Sequence, residues 1–431
     1  MSDLAILGGN KVRTKPFTPW PQYLPSDAQR LQEVLASRHW GGYPLPSRYA
    51  AEFAEKFAAM HGARYGLCLS NGTIALVAAL QAAGIRFGDE VIVPAYTWDG
   101  TATAVLFAGG VPVFADVDPD TYCLDLASAR DAITPRTKAI LPVHLAMRFA
   151  DMDGLRALAR ERGLKIIEDC AHAHGGQYRG EGAGAMGDLG CFSFQESKLM
   201  TSGEGGMVIT SDLRYFEHLQ SQVNCGRASM TDQYHQRVLG ANYRMTELQT
   251  SLLIGQLEML PEFAAKRSRA AARLTKALGA IQGVRPLPPQ PEITRETIYC
   301  YVFQYRPNRT DVSRDLFAAA LDAEGIPCDG RFYEPVYRSD LFYATPENCP
   351  QLKSDYSSVR CPVSERAAYH EAVWLPQFLL IGEDRDVDDI AAAIEKVMSN
   401  MEALSKADPS LAGLKALSRA ERPKHERAKN Y

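Results

Sequence analysis

A single lysine, Lys198, sits in a polar turn between two β-prone runs, residues 189–194 and 207–210. The glycine-rich stretch Gly203-Glu204-Gly205-Gly206 leads into the second run. A lysine ammonium is strongly hydrated and costly to desolvate unless it is paired or chemically committed. One such commitment is an imine with a carbonyl compound, for which the lysine amine is the nucleophile. The alternative is a solvated turn charge. Which of the two holds depends on what the neighbouring strand ends deliver.

Those strand ends carry matching chemistry. Run 164–169 closes on Asp169, an acid at the end of an apolar strand. Run 65–69 leads into Ser70-Asn71-Gly72-Thr73, which opens a helix. A helix start reached through a glycine presents backbone amides and a positive dipole end, a seat for a phosphate at Gly72 and Thr73. Run 90–94 leads to Tyr96-Thr97-Trp98 and places a flat aromatic at the same edge, while Ser193 lies five residues before Lys198. Taken singly, Asp169 reads as a cap, the Ser-Asn-Gly-Thr stretch as an ordinary turn and Trp98 as a core residue. Together they form an amine nucleophile, a carboxylate, a phosphate seat and a stacking ring. Pyridoxal 5'-phosphate requires that set: an aldehyde for the lysine, a pyridine nitrogen for the carboxylate and a ring face for the aromatic.

The elements that must position these groups alternate. Strand-like runs at 65–69, 90–94, 111–116, 139–144, 164–169, 189–194 and 207–210 are mostly apolar, and helical stretches at 73–83, 101–108, 124–133 and 151–162 separate the first five. This predicts an α/β domain with a mostly parallel, seven-stranded sheet covered on both faces. In such a sheet ligands bind beyond the carboxyl ends of the strands. A long helical stretch, 246–278, follows, with Pro261 expected to kink or divide it. A smaller α+β unit comes next, with a strand at 299–305, a helix at 313–324, a strand and loop near 326–333 and a helix at 386–398. The expected organisation is an N-terminal segment 1–25, a large cofactor-binding domain 26–250, a linking helix with the small domain 251–400, and a flexible basic tail 401–431. Beyond Ser405 that tail holds seven Lys/Arg against three Asp/Glu.

Two further patterns lack the surroundings their usual chemistry requires. Gly182-Ala183-Gly184-Ala185-Met186-Gly187 satisfies the dinucleotide pattern G-x-G-x-x-G, which needs a strand before it and a helix after it. Here a hydrophilic loop precedes the motif and a strand follows. His172 and His174 lack a nearby third ligand in a familiar pattern, so no metal is expected. Composition (46% hydrophobic, 23% charged) and a net charge of −4 give no global reason to expect nucleic acid. No apolar run reaches the roughly 20 residues a membrane span needs. The nine scattered cysteines form no Cys-x-x-Cys pair, and reduced thiols and a cytoplasmic location are expected.

The stretch from Ser193-Phe194 through Lys198 to Gly203-Glu204-Gly205-Gly206 resembles the signature of the DegT-type aminotransferases, fold-type-I pyridoxal-phosphate enzymes acting on keto-sugars and keto-cyclitols. Asn71-Gly72-Thr73-Ile74-Ala75-Leu76, Glu90-Val91-Ile92-Val93-Pro94-Ala95-Tyr96-Thr97-Trp98, Glu168-Asp169-Cys170-Ala171-His172 and Gly240-Ala241-Asn242-Tyr243-Arg244-Met245 continue the likeness over about residues 17–398. The resemblance implies Lys198 as the Schiff-base lysine and Asp169 as the partner of the pyridine nitrogen. It places Gly72, Thr73 and Ser193 at the phosphate, Trp98 on the ring and His172 near the cofactor hydroxyl, where many relatives carry glutamine. Asn242 is implied to reach the phosphate of a second subunit, so that a homodimer shares its active sites. Tyr333 and Tyr337 are candidate substrate contacts, with core or interface packing as the alternative for both.

Trp20-Pro21-Gln22-Tyr23, the glutamine after Ser193-Phe194 and Lys198-Leu199-Met200-Thr201 are similar to the branch that aminates scyllo-inosose and 2-deoxy-scyllo-inosose. The runs from Tyr299 to Phe303 and from Cys361 to Arg366 lean the same way. The expected reaction is ping-pong transamination from L-glutamine or L-glutamate to a ring ketone, with Lys198 as proton carrier. Amination of a nucleotide-linked keto-sugar is the alternative within enzymes, and an idle regulator the alternative outside them. One departure stands out: relatives usually carry a glycine in the loop after His144, whereas this chain has Leu145-Ala146-Met147-Arg148.

Overall fold

The computed structural model describes residues 3–43, 46–227, 238–307 and 311–416. Two helices, α1 (Pro25–Ser37) and α2 (Arg48–His61), precede the alternating region. That region runs β1 (Tyr65–Leu69), α3 (Gly72–Ala82), β2 (Glu90–Pro94), α4 (Asp99–Phe107), β3 (Val111–Ala115), α5 (Leu126–Asp131), β4 (Thr137–Ile140), α6 (Met152–Arg162) and β5 (Lys165–Asp169). A short hairpin, β6 (Gln177–Tyr178) and β7 (Glu181–Gly182), precedes β8 (Leu189–Ser193) and β9 (Gly206–Thr210). Helices α7 (Leu213–Val223) and α8 (Glu247–Leu278) lead to β10 (Val284–Pro286), β11 (Ile293–Arg295), β12 (Cys300–Tyr305) and α9 (Arg314–Ala323). The chain continues through α10 (Pro362–Arg366), β13 (Ala372–Pro376), α11 (Asp384–Ser399) and α12 (Met401–Ser405).

Among the described residues the main sheet has seven strands in the order β1-β9-β8-β5-β4-β2-β3. Helical crossovers make most neighbours parallel. Only β9, joined to β8 by the turn that carries Lys198, runs antiparallel to both its neighbours. The carboxyl ends of β1, β8, β5 and β2 therefore share one edge. Strands β2, β8 and β9 are buried at every position, as two-sided cover by helices demands. The alanine-rich α3 is apolar nearly all round and lies close over β8 and β9.

The smaller unit is an antiparallel sheet, β10-β12-β13, with α9 against β13 and α11 packed on α8 and α9. Its strand β13 is not legible in the sequence. It follows a helical stretch with no glycine or proline between them, so Ala372-Val373-Trp374-Leu375 reads as more helix. The segment 326–333 holds only an isolated bridge, Asp329 to Trp374, where a strand and loop are expected. Helix α8 runs through Pro261 without division, since packing on α1, α2 and α11 offsets the one backbone hydrogen bond that proline removes. The basic segment is helical at Met401–Ser405 and Pro409–Ala416, the latter broken at Gly413. Leu404 and Ala412 anchor it, and Lys415 Nζ donates to the Cys328 carbonyl oxygen. Charge alone gave no sign of those anchors; residues 417–431 lie outside the described residues. Among the described residues no helix is long and apolar enough to cross a membrane.

The G-x-G-x-x-G stretch has a structural use. Its loop wraps the fully buried Glu168: Gly184 N and Met186 N donate to the carboxylate at 2.9 Å and Gly187 N at 2.6 Å. His144 Nε2 supplies a fourth bond at 2.9 Å, because the Ala150 amide occupies Nδ1 and fixes the tautomer. His144, Glu168 and Cys170 come close enough to suggest a metal, yet these bonds already engage the histidine and the carboxylate. Glu168→Ala would leave three amides and an imidazole N–H buried without an acceptor. We predict a loss of about 3–5 kcal/mol, readable as a lower urea midpoint in equilibrium unfolding.

Candidate active site

At the shared strand edge opens a cavity of about 530 Å³, and Lys198, Asp169, His172, Ser193, Gly72, Thr73 and Trp98 all line it. Asp169 ends β5, the central strand, and its backbone is held in the sheet by His144 and Pro142. Its carboxylate accepts from Thr101 Oγ1 at 2.9 Å and from the Ala171 amide at 3.1 Å. Burial raises its pKa above the ordinary value, while those two donors, Lys198 and His144 draw it back. A buried carboxylate whose ionised form is penalised in this way calls for a cationic N–H partner.

The start of α3 forms the opposite wall. Asn71 caps it, its Oδ1 accepting from Ile74 N and its carbonyl oxygen from Ala75 N. The Gly72 and Thr73 amides then have no acceptor among the described residues, and both residues face the cavity. Position 72 must be glycine, because a Cβ there would lie 2.6 Å from Ser193 Cβ. Gly100 is forced likewise: a Cβ would lie 2.7 Å from the Trp98 indole, which is 41% exposed and overhangs the cavity.

Lys198 is held by the turn geometry, its amide donating to the Gln195 carbonyl. Trp20 Nε1 donates to the Glu196 carbonyl at 2.9 Å and ties the N-terminal segment to this turn. Lys198 Nζ lies 4.4 Å from the centre of the Tyr299 ring, which stacks on His172 with centroids 3.9 Å apart. His172 Nδ1 accepts the Ala146 amide at 3.2 Å, so Nε2 carries the hydrogen and meets Tyr333 Oη at 3.3 Å. Burial, with Lys198 and His174 adding to it, holds this imidazole well below its usual pKa, so it is neutral. The atypical loop after His144 does the holding: Ala146 adopts φ 57°, the left-handed region that favours glycine, and also accepts from Tyr299 N. His174 is a packing residue between Phe192 and Phe194, pushed down to about 3 by burial, His61 and Lys198.

Two expected contacts stand apart from the cavity. Tyr333 lines it, but Tyr337 does not: its hydroxyl donates to Glu365 Oε1 and accepts from Cys361 N, both at 2.8 Å, and its ring packs on Phe114. The candidate substrate role of Tyr337 is therefore corrected to a packing role. Asn242 is exposed and outside its own chain's cavity. Sequence reasoning missed Thr101, Gln195, Ser197 and Tyr299, all on the cavity wall. Gln195 and Ser197 were within reach, since they flank Lys198 in the motif. Tyr299 carried no local signal, because its partners lie about a hundred residues away.

The chain matches the model of the DegT/DnrJ/EryC1/StrS aminotransferase family over residues 25–395 and belongs to that family. It is 44% identical, over 94% of its length and 99% of the relative, to a protein of Streptoalloteichus tenebrarius. That relative is provisionally named an L-glutamine:3-amino-2,3-dideoxy-scyllo-inosose aminotransferase. It is 39% identical, over 92% of its length and 97% of the relative, to the L-glutamine:2-deoxy-scyllo-inosose aminotransferase of Streptomyces paromomycinus. Among solved structures, 3-amino-5-hydroxybenzoic acid synthase superposes with a TM-score of 0.81 at 33% identity, over 90% of this chain and all of that one.

Proposed function

We propose that this protein transfers the amino group of L-glutamine to the ketone of a polyhydroxylated ring of the scyllo-inosose class, using pyridoxal 5'-phosphate held at Lys198. The observation that carries the reading is the pairing of Lys198 and Asp169 on one cavity, beneath a helix start with two unused amides. The names of the relatives support the donor and the acceptor class. Lys198 is also the one cationic side chain among the described residues that line the cavity, which suits a ring without phosphates better than a nucleotide diphosphate.

The residues fit the cofactor. Asp169 would hold its ring nitrogen, the Gly72 and Thr73 amides with Ser193 its phosphate, and Trp98 would cover its face. When bound, it supplies an aldehyde that exchanges amines and a ring that withdraws electrons from the carbon losing its proton. Lys198 Nζ takes the Cα proton of glutamine and, in the second half of the cycle, delivers a proton to the ring carbon receiving nitrogen. Thr101 and the Ala171 amide keep the Asp169 carboxylate aimed into the cavity. Asn242 would complete the phosphate seat of a second copy in a homodimer.

Incubation with glutamine and either scyllo-inosose or 2-deoxy-scyllo-inosose, followed by mass spectrometry, is expected to yield the amino ring. Amination of a nucleotide-linked keto-sugar alone would move the substrate to the sugar class. Failure with all acceptors, together with a protein that takes up no pyridoxal phosphate, would leave the regulator reading.

A further inference from the structure

The motif turn contains a hydrogen-bonded chain that neither the cofactor seat nor the proton transfer at Lys198 uses. Gln195 Oε1 accepts from the Ser197 backbone N–H at 2.9 Å and from the Ser197 hydroxyl at 2.7 Å. A backbone N–H only donates, so the atom it meets is the amide oxygen. Gln195 therefore has one orientation, with Nε2 turned away from Ser197. The single proton of the Ser197 hydroxyl is committed to Gln195, so its oxygen accepts from Tyr299 Oη, 2.8 Å away. The chain runs in one direction, from Tyr299 through Ser197 to Gln195. Ser197 and Tyr299 are buried, which keeps water from competing for these bonds. Gln195 is half-buried on the cavity wall, and no described residue accepts from its Nε2.

We infer that Gln195 Nε2 donates to a hydroxyl or keto oxygen of the amino acceptor, with Ser197 and Tyr299 as positioning residues that hold the amide in that sense. The inference rests on the reading above that the acceptor is a polyhydroxylated ring ketone. The carboxylate of the amino donor is a full charge and is best met by a cation or by several donors. scyllo-Inosose and 2-deoxy-scyllo-inosose are uncharged and offer only hydroxyl and carbonyl oxygens, for which a neutral, fixed amide donor is the matching group. Fixing the amide matters because a site built to hydrogen-bond one oxygen discriminates strongly against a ligand that leaves its buried donors unpaired.

The test separates the two half-reactions of the holoenzyme in single-turnover absorbance measurements. Gln195→Glu keeps the acceptor for Ser197 and replaces the donor by an oxygen, and Gln195→Ala removes the side chain. Both are expected to slow the half-reaction with the ring ketone by roughly 10- to 100-fold through a higher apparent KM, and to change the half-reaction with glutamine by less than about threefold. Calorimetric titration with scyllo-inositol, a ring without the reacting carbonyl, should show Kd weakened about tenfold or more in both variants. Ser197→Ala, which leaves the amide oxygen only the backbone N–H to hold it and breaks the link to Tyr299, should give a smaller loss confined to the ring half-reaction. Equal losses in both half-reactions, or unchanged ring binding, would overturn the inference. Wild-type protein that aminates no ring ketone would instead overturn the substrate reading on which it rests.

Discussion

Lys198→Ala is expected to lower amino transfer by on the order of 10³-fold or more, while the melting temperature of the cofactor-free protein stays within a few degrees of wild type. The loss is large because one side chain performs two tasks, anchoring the cofactor carbonyl and carrying the proton of the donor Cα. The fold effect is small because the turn is held by other bonds. Phe194 N donates to the Gly205 carbonyl, Ser202 N to the Phe194 carbonyl and Trp20 to the Glu196 carbonyl. Lys198→Arg decides what kind of role the lysine has. It preserves the charge above Tyr299 but offers a guanidinium that stays protonated and is no nucleophile. The arginine variant should be as inactive as the alanine variant. Substantial activity in it would reduce Lys198 to an electrostatic contributor.

Asp169→Asn is expected to lower kcat by roughly 10²- to 10³-fold and to weaken retention of pyridoxal phosphate on dialysis. The amide is nearly isosteric, so contacts with Thr101 and Ala171 change little in shape, but it no longer supplies a negative charge opposite a protonated ring nitrogen. The same substitution should leave the cofactor-free protein at least as stable. Burial raises the carboxyl pKa in the folded state, so the folded chain binds a proton there more readily than the unfolded chain. The stabilisation from that bound proton is complete below the ordinary aspartate value and is lost as pH rises through the folded value. Cofactor-free wild type should therefore lose stability relative to Asp169→Asn as pH climbs from about 4. Urea unfolding of both proteins across that range checks the sign. A variant less stable than wild type at every pH would mean that the carboxylate is already compensated inside the protein.

Much of the site was legible because its groups occupy strand ends, where position in the sequence and position in the fold coincide. Asp169, Ser193, Gly72, Thr73 and Trp98 each follow directly from a run of apolar residues, and parallel strands bring such ends to one edge. The regular alternation that makes the sheet parallel is itself a local property of the chain. What was not legible depends on the smaller unit. Tyr299 enters the cavity only because β12 packs where it does, and Tyr337 leaves it because Glu365 and Cys361 engage its hydroxyl. Both tyrosines sit in aromatic surroundings that periodicity cannot tell apart. The Gly182-to-Gly187 loop teaches a related point. Its glycines bring backbone amides to an acid, as in a nucleotide fingerprint, but the acid belongs to the protein.

The most direct test of the account is to reduce the purified, pyridoxal-phosphate-loaded protein with borohydride, digest it and sequence the labelled peptide by mass spectrometry. The account predicts one pyridoxyl mass addition, on Lys198, which disappears when glutamine is added before the reductant. A label on another lysine, or no label on a protein that still transfers amino groups, would contradict it.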